Sequence, residues 1–249
     1  MRRQDIMRVA ILFIGIVLLI NVLLFLFRGG HGSLSKSIPG DEIVNIHITT
    51  DIGDIQIAPH DGDDIRVHLE GKTAEKPTKN YKLIVKEKHD ELTVRAKTKT
   101  KWLPFQKSPG SYTVLIELPA KQYEQLYVEA DVANVYIEAI AVSNSFVTTG
   151  VGNITLRNVA GSLNSATEVG DNTIELPTIT ENISATSRVG NVIVKMKEVP
   201  LALQSDIHNS VGNTTINLPN AEEGSIGIDG PLLKLTVEVG NISVLLVDG

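Results

Sequence analysis

The sequence predicts an all-β ectodomain built as right-handed β-solenoid-like repeats, with a β-sandwich as the alternative, plus one N-terminal transmembrane helix. Three observations lead there. A Val-Gly-Asn tract, or a near copy, recurs at Val151-Gly152-Asn153, Val169-Gly170-Asp171, Val189-Gly190-Asn191, Val211-Gly212-Asn213 and Val239-Gly240-Asn241. Short runs of alternating apolar and polar residues flank each tract, and no segment beyond residue 27 has good helical periodicity. Val9 to Phe27 is apolar or Gly throughout except for Asn21.

That apolar run is the first element. Its 19 residues would form a helix of roughly 28 Å, about the hydrocarbon thickness of a bilayer. Arg2, Arg3 and Arg8 precede it, and Arg28 and Lys36 follow. Positive charge on the short side places residues 1–8 in the cytoplasm and the rest outside, as a single-pass cell-membrane protein. The run is longer than a signal-peptide core and ends Leu26-Phe27-Arg28-Gly29-Gly30, without Ala-x-Ala, which favours an uncleaved anchor. Residues 28–40 are rich in Gly and Ser and read as a flexible tether.

Residues 41–249 read as one extracytoplasmic β-repeat domain in two parts. In 41–119, alternation marks strands at Ile43–Ile48, Asp54–Ile57, Ile65–Leu69, Tyr81–Val85, Leu92–Arg95 and Tyr112–Leu118, with turn residues such as Pro59-His60-Asp61-Gly62-Asp63 between them. From about residue 120 the repeat takes over. Gly152, Gly170, Gly190, Gly212 and Gly240 are the expected turn glycines, because a Gly-Asn pair between two apolar arms suits a left-handed backbone. The positions after them, such as Ile154 and Leu156, or Ile174 and Leu176, should share one buried face. Weaker copies are Val132-Ala133-Asn134 and Ile52-Gly53-Asp54, and the repeated Asn side chains are placed to form a hydrogen-bonded ladder.

Charge is divided along the chain. Residues 120–249 hold 6 Lys/Arg against 15 Asp/Glu, whereas residues 72–107 hold 11 against 4. Lys97, Lys99, Lys101 and Trp102 form the densest basic run. It is either a solvated edge strand whose lysines oppose aggregation or a contact with an anionic surface, lipid headgroups or a wall polymer, where Trp favours an interface. Nucleic acid is a poor partner for an acidic chain expected outside the cell.

The chemistry of catalysis is thinly represented. With no cysteine there are no disulfides, thiol nucleophiles or Cys-type zinc sites. The six histidines fall into no metal-ligand spacing, and Asp61-Gly62-Asp63-Asp64 lacks the arrangement of a calcium loop. No nucleophile elbow, phosphate loop or dinucleotide fingerprint occurs. Carboxylates such as Glu168, Asp171, Glu175 and Glu181 recur, but at shifting places in each unit, and aromatics make up only 4% of the chain, few for a sugar-cleaving groove. The expectation is no enzyme, no metal and no cofactor.

The anchor Val9–Phe27 and the Val-Gly-Asn units from Val151 to Val244 resemble the putative-adhesin family of bacterial envelope proteins, with a narrower likeness to the Lia cell-envelope stress system of Gram-positive bacteria. The resemblance implies a β-repeat ectodomain on the outer membrane face and a link to envelope stress, and it supplies no catalytic residues. Ala133, where the pattern has Gly, departs from it. The expected function is non-enzymatic binding of an envelope component, either an anionic wall polymer or another membrane protein. A wall-polysaccharide enzyme or a purely structural stalk are the alternatives. The cytoplasmic tail is too short for a folded signalling module, so any signal would pass laterally through the membrane.

Overall fold

The computed structural model describes residues 33–71, 81–99 and 112–247. Among them the chain forms nineteen strands and no helix. It begins with β1 (Ser33–Pro39), and β2 (Asn45–Ile52) turns sharply into β3 (Asp54–His60). Then come β4 (Asp64–Gly71), β5 (Tyr81–Lys88), β6 (Glu91–Thr98) and β7 (Tyr112–Pro119). Six further strand pairs complete the chain: β8 (Gln122–Val132) with β9 (Val135–Glu138), β10 (Ala141–Val151) with β11 (Ile154–Arg157), and β12 (Ala160–Val169) with β13 (Asn172–Leu176). After these follow β14 (Ile183–Val189) with β15 (Val192–Met196), β16 (Gln204–Val211) with β17 (Thr214–Asn217), and β18 (Leu232–Val239) with β19 (Ile242–Leu246).

Each pair is one coil, with one strand in each of two sheets. The ten-stranded sheet has the order β1-β4-β7-β3-β9-β11-β13-β15-β19-β17, and the nine-stranded sheet has the order β16-β18-β14-β12-β10-β8-β2-β6-β5. Neighbouring coils pair in parallel and in constant register, as in Val151↔Val169 and Leu156↔Ile174. The solenoid and sandwich readings therefore coincide: stacked coils are flattened into two sheets that share one core. Ile154, Leu156, Ile174, Val192, Val194, Leu235 and Val244 are fully buried within it. Strict alternation puts them there, since successive side chains of a strand point to opposite faces.

The Val-Gly-Asn tract is the corner of the coil. Gly190 has φ of 144°, which side-chain-bearing residues rarely adopt, and a Cβ on it would overlap the carbonyl oxygen of Gly170 in the next coil. Both constraints demand glycine. Gly53, Gly152, Gly170, Gly212 and Gly240 repeat the conformation. Ala133 occupies the same corner without a positive φ and still donates its amide to the Val151 carbonyl at 2.9 Å. The residue after each corner forms the expected ladder. Asn134 donates to Asp54 Oδ1 (3.0 Å), the Asn153 amide to Asn134 Oδ1 (3.0 Å), and the Asp171 amide to Asn153 Oδ1 (2.8 Å). It continues through Asn191 to Asp171 Oδ1 (2.9 Å), Asn241 to Asn191 Oδ1 (3.1 Å), and the Asn213 amide to Asn241 Oδ1 (3.0 Å).

Inside the corner a second series runs parallel. Thr149, Thr167 and Ser187 each lie three residues before a corner glycine. Their hydroxyls donate to the carbonyls of Ala133 (3.1 Å), Gly152 (2.9 Å) and Gly170 (2.8 Å). These contacts satisfy acceptors that the tight turn would otherwise leave buried and unpaired.

Both ends of the stack are laid out of chain order. At one end β6 and β7 lie outside β2 and β3, so β8 returns to pair with β2. At the other, β18–β19 slots between β14–β15 and the outermost pair β16–β17. The 218–231 connection folds over that terminal coil. Ser205 donates its amide to Ser225 Oγ (3.1 Å) and its hydroxyl to the Glu223 carbonyl (3.1 Å).

The segment expected as a tether over 28–40 is partly structured. Ser33–Pro39 pairs antiparallel with β4, and Ile38 is buried, so apolar residues among the serines dock where a loose linker was expected. The apolar run 9–27 lies outside the described residues, among which no helix is long and apolar enough to cross a membrane.

Candidate binding face

The outer surface of the nine-stranded sheet gathers the most distinctive side chains. On β5 and β6, alternation turns Lys82, Lys86, Lys88, Arg95 and Lys97 outward, all exposed, while Tyr81, Val85, Leu92 and Val94 are buried beneath. The antiparallel register sets Lys82 opposite Lys97 and Ile84 opposite Arg95, so Lys82, Lys86, Arg95 and Lys97 surround one half-buried isoleucine, while Lys88 stands opposite Glu91. Lys36 of β1 donates to the Val85 carbonyl at 2.8 Å and ties this edge to the other sheet. Of the expected surface-contact residues, Lys97 belongs to this patch and Lys99 is exposed just beyond β6. Lys101 and Trp102 lie outside the described residues. The turn glycines Gly152, Gly170, Gly190, Gly212 and Gly240 all sit at corners, away from this face.

Next to the cations the character changes. His47, Tyr127 and Phe146 stand opposite one another on β2, β8 and β10. The His47 and Tyr127 rings meet edge to face, 4.7 Å apart at 82°. Tyr127 is 38% and Phe146 41% exposed, whereas Tyr81, Tyr112 and Tyr123 are essentially buried. A groove of about 470 Å³ runs beside the row, lined by Asn45, His47, Asp90, Glu91, Glu124 and Tyr127. Asn45 donates to Asp90 at 2.8 Å, while His47 Nε2 is buried with no hydrogen-bond partner. Sequence reasoning found no metal-ligand spacing among the histidines and missed the row. The signal was present, because His47, Tyr127 and Phe146 each lie six residues before a corner residue, Gly53, Ala133 and Gly152.

The opposite outer face carries a ladder of alternating charge. Arg157 Nε meets Glu175 at 2.9 Å, Lys195 meets Glu175 at 3.0 Å, and Tyr136 donates to Glu138 at 2.8 Å. The Lys195 hydrogen bond, with Arg157 beyond it, holds the Glu175 pKa below the ordinary value. These half-buried, satisfied pairs keep access to solvent, fix strand neighbours and contribute modestly each. A cavity of about 270 Å³ at the far corner, between Val159–Gly161 and Leu176–Ile183, is mainly apolar. Among the described residues no group of three or more His, Asp or Glu is disposed to hold a metal ion.

The family model described as Toastrack DUF4097 matches residues 43–171. The match takes in the basic edge, the aromatic row and the first corners, and the coils beyond continue the same register. No curated protein matches the chain. A solved structure described as a putative cell adhesion protein from Clostridium sporogenes is similar with a TM-score of 0.52 at 13% identity, over 85% of this chain and 97% of that one. A putative adhesin from Bacteroides fragilis gives 0.38 at 14% identity, over 87% and 99%. A putative lipid binding protein from Parabacteroides distasonis gives 0.39 at 12% identity, over 87% and 98%. At 13% identity the first of these is a likeness of fold alone.

Proposed function

This chain belongs to the Toastrack DUF4097 family, and we propose that it is a non-enzymatic, adhesin-like envelope protein that binds phosphate-rich surface polymer through the cationic edge of its nine-stranded sheet. Residues 9–27 anchor it in the cell membrane with residues 1–8 inside, and the repeat domain stands outside. Its engagement reports envelope stress laterally, through a neighbouring membrane protein. The observation that carries this reading is the convergence of Lys82, Lys86, Lys88, Arg95 and Lys97 on one exposed sheet surface, in a chain whose formal net charge is −6. Such segregation favours a polyanion and makes binding depend on salt.

The test is binding of detergent-solubilised full-length protein to poly(glycerol phosphate), at low salt and at about 0.5 M salt, where charges are screened within a few ångströms. Expected are saturable binding that weakens steeply with salt and its loss in the Lys82→Glu, Lys86→Glu, Lys97→Glu triple variant. A parallel arm with bilayer discs, containing anionic or zwitterionic lipid, separates wall polymer from headgroups as the source of phosphate. Binding that is indifferent to salt and to the triple reversal would overturn the proposal.

A further inference from the structure

The aromatic row sits two strands in from the cationic edge and is not accounted for by polyanion binding. The face around it leans acidic, with Asp90, Glu91 and Glu124 at the groove and Glu129 on the next row. Tyr127 donates to Glu129 at 3.4 Å. Phe146 has no polar handle, yet it is 41% exposed in the middle of a strand, whereas the exposed valines Val151, Val169, Val189, Val211 and Val239 sit at strand ends beside the corners. An apolar ring kept in solvent contributes little to folding, and its burial by a ligand would be favourable.

We propose that the His47–Tyr127–Phe146 row and its adjoining groove bind the pyranose rings of an uncharged glycan chain. A pyranose presents two chemistries at once. Its axial C–H groups form an apolar face that packs flat on an aromatic ring, and its rim of hydroxyls needs planar acceptors and donors. Both are present side by side here. The rings of Tyr127 and Phe146 supply the platform. The carboxylates of Asp90, Glu91 and Glu124 accept hydroxyl protons, and the imidazole of His47 forms part of the groove wall.

The row also has direction. It crosses the strands, so successive rings are one interstrand spacing apart, about 4.8 Å, comparable with the length of one sugar residue in a chain. Beyond Phe146 the same row continues into Asn164 and Ser184, hydrogen-bonding side chains in the same register. A glycan laid along the stack axis would thus meet rings first and amide and hydroxyl groups next. A cationic peptide would also be drawn to the carboxylates, but it has no use for the continuation in Asn164 and Ser184.

The experiment is calorimetric titration of full-length protein, held in a phosphocholine detergent that carries no sugar, with cellohexaose and chitohexaose as neutral probes and oligolysine as the cationic one. Expected is saturable binding of at least one hexasaccharide with a Kd below about 1 mM. Phe146→Ala and Tyr127→Ala should each weaken it by about tenfold or more while the protein stays folded, because both rings are only partly buried on the outer face. Glu124→Gln should weaken it as well. The lysine triple variant should bind the hexasaccharide normally, so this site can fail or stand independently of polyanion binding. Binding of neither hexasaccharide, binding that survives both aromatic substitutions, or binding of oligolysine alone would overturn the proposal.

Discussion

Single residues carry the repeat, and their roles separate cleanly. Gly190 is held by backbone geometry on one side and by the Gly170 carbonyl on the other. Gly190→Val should cost about 1–3 kcal/mol from backbone strain, and steric overlap adds to it. A denaturant midpoint within about 0.3 kcal/mol of the parent would contradict the corner geometry. Asn172 is a different case. It is fully buried where the neighbouring coils place Ile154 and Val192. Its side chain donates to the Ser165 carbonyl (3.1 Å) and accepts from Ser165 Oγ (3.1 Å). Ser165→Ala alone should cost about 1–3 kcal/mol, because it leaves the buried Asn172 Oδ1 without its donor. Adding Asn172→Val should recover most of that loss, since removing both partners leaves an apolar site. The motif was plain in the sequence, but this buried polar pair was not. Asp171-Asn172 reads locally as one more turn, and only the coil register shows that the second residue points inward.

At the scale of elements, three strands meet on one carboxylate. Asp51 of β2 accepts from the Thr98 amide at the end of β6 (2.8 Å), from the Tyr112 hydroxyl of β7 (3.0 Å) and from the Ile52 amide (2.8 Å). Tyr112 also bonds Thr50 at 2.6 Å and packs on Tyr81 with ring centres 4.5 Å apart. Burial alone would raise the Asp51 pKa. The hydrogen bonds from Thr98, Ile52 and Tyr112 outweigh it and hold the carboxyl below its ordinary value. A depressed folded pKa stabilises fully above the unfolded value, near pH 4, and that contribution is lost as pH falls through the folded value. Unfolding measured between about pH 2 and pH 7 should therefore show a falling acid limb, and Asp51→Asn should make that limb shallower. An identical slope in the variant would remove Asp51 as its source. The strands themselves were largely legible, because period-two alternation marks a half-buried strand directly. Their neighbours were not. Nothing local to Leu92–Arg95 says that β6 pairs with β2 rather than with β8, since pairing is decided by which apolar faces close one core.

For the whole molecule, the division of charge seen along the chain becomes a division in space. The basic stretch 72–107 contributes β5 and β6 at one end, and acidic coils extend away from it. The aromatic row escaped notice because its members are spread across a hundred residues and converge only through register. Cohesion at the far end depends on β18–β19, whose Leu233, Leu235, Val237, Ile242 and Val244 are fully buried. A chain ending at Gly230 should lose amide protection across 204–217 while β10 to β13 keep theirs, as read by hydrogen exchange. Uniform loss along the stack would mean that the coils do not respond as semi-independent neighbours.

That inserted pair also governs how the protein is made. A chain emerges from synthesis in order, so β16 and β17 appear while the strands that must lie between them and β14–β15 do not yet exist. The outermost layer is thus manufactured before the layer it rests on. Until Leu246 has emerged, β14 and β15 present bare sheet margins, which invite pairing with any passing strand. Growth by accretion is closed to this end of the molecule: it reaches its final form in one late step, and a ribosome that stalls within β18 releases a product with an adhesive, unfinished edge.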